Sequence, residues 1–280
     1  MSDAASKLGP VPEARTGALL RRIVWHWRHD PRMELWIAWW TMVVFYQLFG
    51  LLFFAVTRTQ PPPKPWWGPE RVVQWFGDQH DRLLIGFAFV FLISGMTAIM
   101  NALIAYSMRR MSVSRAFAYS YLVIYALSTL PGMLFLGIGL TVGALRPDRD
   151  PAIVSWLYDF SFMTFVGTMG VFLVGSLVWM TAILLDENRV FPKWFGYFNL
   201  CNALTEVVVA LIWLDNQGGI FSWSGVITWW LQVFVFATYT GVFITLLRRM
   251  ILREDFGSGP LPELAKDGAP AASALLEAAH

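Results

Sequence analysis

Charge is scarce in this chain. Only 14% of its 280 residues are Asp, Glu, Lys or Arg, against about 25% in soluble domains. An ordinary water-soluble globule is excluded. The net charge is +2, too small to mark a nucleic-acid surface. There is one cysteine, Cys201, so neither an internal disulfide nor a Cys-rich metal site can form. The four histidines, His26, His29, His80 and His280, lie outside the apolar stretches, which leaves no haem ligand within them. The lysines, Lys7, Lys64, Lys193 and Lys266, lie outside them too, so no buried amine is available for a Schiff base. No cofactor, metal or nucleic-acid partner is expected. A signal peptide is not expected either: residues 1–15 are polar, with Gly and Pro, and no short apolar core with a cleavage site follows.

What is abundant is apolar. Hydrophobic residues make up 56% of the chain, with 22 Phe, 15 Trp and 8 Tyr, and mean hydropathy is +0.52. Crossing a bilayer takes about 20 apolar residues. Six stretches meet that length: 34–57, 83–108, 116–140, 158–185, 195–214 and 226–247. Backbone in hydrocarbon must satisfy its own hydrogen bonds, so each reads as a helix. The expected fold is an all-α membrane protein, a six-transmembrane-helix bundle over residues 31–256. Residues 1–15 and 257–280 read as flexible tails rich in Ala, Gly, Pro and Ser. In residues 16–30, Leu19, Leu20, Ile23, Val24 and Trp27 recur at helical spacing among Arg21, Arg22 and Arg28. That pattern predicts an amphipathic helix on the membrane face. The pair His26 and His29 within it suits lipid headgroups better than a metal.

Basic residues set the expected orientation. Twelve flank one set of span ends, among them Arg32, Arg109, Arg110, Arg115, Arg189, Lys193, Arg248 and Arg249; six flank the other, among them Arg58, Lys64, Arg71 and Arg82. The bias puts both termini in the cytoplasm, as an even number of spans requires, and the setting expected is a bacterial inner membrane. The first outer loop holds a stiff Pro61-Pro62-Pro63-Lys64-Pro65 run. A short helix over 70–76 follows, with Val72, Val73, Trp75 and Phe76 expected at the interface. Trp156, Trp213, Trp223, Trp229 and Trp230 fit an aromatic belt. Cys201 reads as a small packing residue, and Pro131-Gly132 should kink the third span.

Polar residues inside the spans are the most informative feature. They recur at helical spacing: Ser94, Thr97 and Asn101 in span two; Tyr121, Tyr125 and Ser128 in span three; Ser161, Thr164 and Thr168 in span four; Asn199, Asn202 and Glu206 in span five; Thr228, Gln232 and Tyr239 in span six. Facing lipid would be unfavourable, so these stripes should turn inward. Gly167 and Gly170 in span four suit close helix approach. Glu206 stands out, because no span carries a basic residue to neutralise it. An acid at that depth costs roughly 2.5–3.5 kcal/mol on insertion scales, and desolvation favours a protonated, hydrogen-bonded carboxyl. Asn202 is its expected same-helix partner, and Asn101, Tyr125 and Gln232 its expected partners from other helices. These five form the candidate ligand-binding set. The competing reading is a buried clamp that fixes helix packing.

A weaker grouping lies on the outer side. His80 with Asp78, Asp81 and Asp159 could act as a general base or metal site, although the spacing matches no strong metal motif. The bland alternative is that the two Asp flank a helix start and His80 is solvated.

The turn "YSMRRMSVSRAFAY" at the end of span two and the link "DENRVFPKWFGY" into span five carry a resemblance. The chain resembles a broad group of uncharacterised bacterial six-helix integral membrane proteins across roughly residues 82–214. The resemblance implies a helical membrane fold and no activity. Three function classes follow, in order: a protein binding a small apolar molecule or lipid around Glu206; a non-catalytic subunit of a larger membrane complex, with partner membrane subunits; and an interfacial lipid-modifying enzyme using His80 and nearby Asp. Membrane lipids are partners in each.

Overall fold

The computed structural model describes residue 24 and residues 30–146, 148–168, 170–214, 218–257 and 261. The amphipathic helix expected over 16–30 and both expected tails lie almost wholly outside the described residues. Among the described residues the architecture is all helical, with no strand. Six helices are long and apolar enough to span a membrane: α1 (Met33–Val56), α3 (His80–Arg109), α4 (Arg115–Leu145), α5 (Pro151–Leu185), α6 (Lys193–Trp213) and α7 (Val226–Arg253). A shorter helix, α2 (Pro69–Asp78), occupies the first outer loop.

The helices form a closed ring. α1 packs on the inner half of α3, then α3 on α4, α4 on α5, α5 on α6, α6 on α7, and α7 returns to α1. Buried side chains are largely aromatic and branched aliphatic, whereas Trp40, Leu92, Val123, Leu127, Leu214 and Phe234 point outward. An apolar outside is what a hydrocarbon solvent selects.

Local signals explain where helices start and stop. Asp150 accepts the backbone N–H of Ala152 at 2.8 Å, with Pro151 in the first helical position. A capping acid followed by proline is a strong helix start. It lengthens α5 outward to Pro151, well beyond the apolar stretch visible from hydropathy. α5 holds 35 residues, about 52 Å at the α-helical rise, against a hydrocarbon core of about 30 Å. Three long spans are interrupted: α3 at Gly95, α4 by a π-helical turn over Leu130–Phe135, and α5 between Gly167 and Val171. The turn in α4 falls where Pro131 removes an N–H from the ladder.

The described parts of the α1–α3 and α6–α7 connections fold over one end of the bundle. Trp223 donates its indole N–H to the Pro63 carbonyl at 2.8 Å, and the Tyr158 hydroxyl donates to the Lys64 carbonyl at 2.8 Å. Helix α2 turns Val72, Trp75 and Phe76 onto the bundle, with Trp75 against Tyr158 and Phe162. These side chains, expected at the membrane interface, are core instead. Phe76 fills the space that a Cβ on Gly143 would need, 2.7 Å away. The tryptophan belt divides likewise. Trp156, Trp213 and Trp230 are exposed, while Trp223 and Trp229 are buried. Cys201, expected in packing, is exposed.

On the opposite face the two turns that carry the family resemblance lock together. Asp186 accepts N–H bonds from Ser112 at 2.9 Å, Asn188 at 3.0 Å and Val190 at 2.8 Å. The Ser112 hydroxyl accepts the N–H of Glu187 at 2.7 Å, and the Asn188 amide donates to the Arg110 carbonyl at 2.9 Å. Lys193 places its ammonium on the carbonyls of Ile183, Leu184 and Asp186, satisfying the open end of α5. Buried Arg110 pairs with Glu254 at 3.2 Å and Asp255 at 2.7 Å, which ties the end of α7 to the same knot.

Candidate functional site

The side-chain hydroxyls in the spans are mostly satisfied by their own helices. Ser161 donates to Leu157 O, Thr164 to Phe160 O, Thr168 to Thr164 O, Ser128 to Ile124 O and Thr97 to Ser94 O. A hydroxyl three or four residues after a carbonyl can always back-bond in this way. These stripes therefore carry less information about helix facing than their spacing implied.

The amides and the carboxylate behave differently. On α6, Asn199, Asn202 and Glu206 are all buried. Gln232, at the end of the first π-helical turn of α7, donates its amide N–H to Glu206 Oε1 at 2.7 Å. Asn202, one turn before Glu206, donates to Ser176 Oγ of α5 at 3.2 Å. Ser176 adjoins Tyr125 of α4, whose ring stacks on Tyr121 with centroids 4.2 Å apart. Tyr125 packs against Gly175, where a Cβ would stand 2.6 Å from the ring. Deeper along the same face, the Tyr239 hydroxyl donates to Asn199 Oδ1 at 2.8 Å. Four helices thus converge on one polar seam, with α6 as its spine.

Of the five residues singled out from sequence, four meet here: Glu206, Gln232, Asn202 and, through Ser176, Tyr125. Asn101 does not. It is half-buried on the inner part of α3 and makes no hydrogen bond among the described residues, because that helix packs on α1 and α4 and not on α6. Three members of the seam, Ser176, Asn199 and Tyr239, were absent from the set. Asn199 carried a signal, since it sits on the α6 face that holds Asn202. Ser176 is a lone serine in an apolar run and carried none.

Three oxygens at the outer end of the seam have no donor among the described residues: Glu206 Oε2, Gln232 Oε1 and Asn202 Oδ1. Their side chains are at most 7% exposed. The carboxyl thus has one oxygen held and one open, and the amide oxygens of Gln232 and Asn202 on the same seam also lack partners among the described residues. Trp229, one turn before Gln232, packs its ring on Phe165 of α5 with centroids 6.3 Å apart, and its indole N–H is also buried with no acceptor among the described residues.

The outer His80 group is not assembled. His80 Nδ1 lies 2.8 Å from the Ala144 carbonyl. A carbonyl only accepts, so Nδ1 carries the proton and closes the end of α4. Nε2 is 3.8 Å from exposed Asp81. Asp78 ends α2, and Asp159 is exposed on α5 and makes no hydrogen bond to His80. Among the described residues no group of three His, Cys, Asp or Glu could hold a metal ion. A shallow depression lined by Gly77, Asp78, His80, Asp81 and Arg82 opens to the surface there.

Compared with known protein families, curated proteins and solved structures, the chain matches none. Its function is therefore read from its own residues.

Proposed function

We propose that the protein binds a small, largely apolar molecule within the membrane, oriented by Glu206, Gln232 and Asn202. One observation carries this reading: the half-satisfied carboxyl of Glu206, buried between α6 and α7 beside two unpartnered amide oxygens. Buried polar atoms in a packing clamp are mostly paired, and this group leaves three acceptors open. Sites between bundle helices take apolar ligands fixed by a few polar groups, and acids in spans are functional candidates by default. The setting proposed is the bacterial inner membrane, with both termini cytoplasmic, on the strength of the basic residues at Arg109, Arg110, Arg248 and Arg249.

Mass spectrometry of the small molecules that co-purify in mild detergent tests the proposal. The wild type should carry a compound that Glu206→Gln loses. Equal small-molecule content in both proteins refutes it. If a stoichiometric polypeptide co-purifies in that case, the membrane-subunit reading takes its place.

A further inference from the structure

The donor count at Glu206 says more about the ligand. This inference rests on the binding reading above and assigns its chemical class. Glu206 Oε2, Gln232 Oε1 and Asn202 Oδ1 are all acceptors, and among the described residues none receives a hydrogen bond. They lie close together: Asn202 and Glu206 are one turn apart on α6, and Gln232 is bonded to Glu206 at 2.7 Å. Lys193, at the far end of α6, is engaged by the carbonyls of Ile183, Leu184 and Asp186, and no arginine or histidine lies elsewhere on α6 or on α7 near Gln232. Among the described residues the carboxylate therefore has no cationic partner.

We infer that the ligand is a primary amine on an apolar body, seated as its ammonium among these three oxygens. An ammonium carries up to three N–H donors and no acceptor, which matches a cradle of three acceptors, one of them a carboxylate. Its charge balances that of Glu206, and the bond is charge-assisted. A neutral alcohol has a single donor and leaves two oxygens open. A proton on Oε2 could serve one neighbouring amide oxygen and leaves the other open. A carboxylic acid or phosphate would set acceptor against acceptor. The apolar body would lie along Trp229 and Phe165, whose rings face each other across α7 and α5.

Three probes built on one apolar cage test the class: adamantylamine, adamantanol and trimethyladamantylammonium. The last keeps the charge and loses every N–H donor. Each is titrated against the full-length protein in nanodiscs, with binding read by scintillation proximity or tryptophan fluorescence. Adamantylamine should bind, with the other two at least about tenfold weaker, as expected for the loss of charge-assisted hydrogen bonds. Glu206→Gln should weaken the amine about tenfold or more. Asn202→Leu, which keeps the charge and removes one acceptor, should weaken the amine and leave the trimethyl cation unchanged. If adamantanol binds as tightly as the amine and both depend on Glu206, the ammonium class is wrong while the site stands. If no probe binds in a Glu206-dependent way, the site fails with it. If Asn202→Leu leaves the amine unaffected, the three-oxygen cradle is wrong.

Discussion

Ser161, Thr164 and Thr168 share a face of α5 and contribute nothing to the seam, whereas Asn202, Glu206 and Gln232 build it. The difference is chemical reach. A hydroxyl needs one acceptor, and the preceding turn of its own helix supplies it. A carboxyl or primary amide carries more polar capacity than its own turn can absorb, so it must find another helix. Asn199 shows both modes, donating to the Phe195 carbonyl on its own helix and accepting from Tyr239 across to α7. A prediction follows for the central pair. Gln232→Leu strands both oxygens of Glu206 and should destabilise the protein by about 1–3 kcal/mol. Pairing it with Glu206→Leu removes the stranded group and should recover most of that loss. Thermal unfolding in detergent measures both; a double variant no more stable than the single one contradicts the pairing.

Among the elements, α5 depends most on its neighbours. Its inner end is closed by the Lys193 ammonium on three carbonyls. At its midpoint, Trp213 of α6 donates to the Gly167 carbonyl at 2.9 Å and lies where a Cβ on Gly167 would come within 2.8 Å of the indole. Gly170, three residues on, has open space around it, so of the two glycines expected to admit a close helix only Gly167 does so. Lys193→Met should cost about 1–3 kcal/mol, because buried carbonyls lose their donor, and hydrogen exchange should accelerate first at residues 183–186. Uniform exchange across α5 would show that the cap does not hold that end.

For the whole molecule the question is which way it faces. Asp148 and Ser114 are exposed on opposite faces of the bundle, in the α4–α5 and α3–α4 connections. In a Cys201→Ser background, Asp148→Cys should react with a membrane-impermeant maleimide in spheroplasts, and Ser114→Cys only after permeabilisation. The reverse pattern would invert the proposed orientation.

Hydropathy and charge alone determined the number of long apolar helices and the residue types able to carry chemistry, because a bilayer-length apolar run and an unneutralised acid are local facts. Glu206, Asn202 and Gln232 were legible for that reason. Tertiary structure decided the rest. It showed which tryptophans are core and which face outward, since Trp223 needs the Pro63 carbonyl and Trp229 the Phe165 ring. It excluded Asn101 from the seam, brought in Ser176, and turned two basic loops into a knot around Asp186. Each of these depends on which helix is neighbour to which. A helix period names the face of a residue but not the partner across from it, and that pairing is set by the packing of the closed ring.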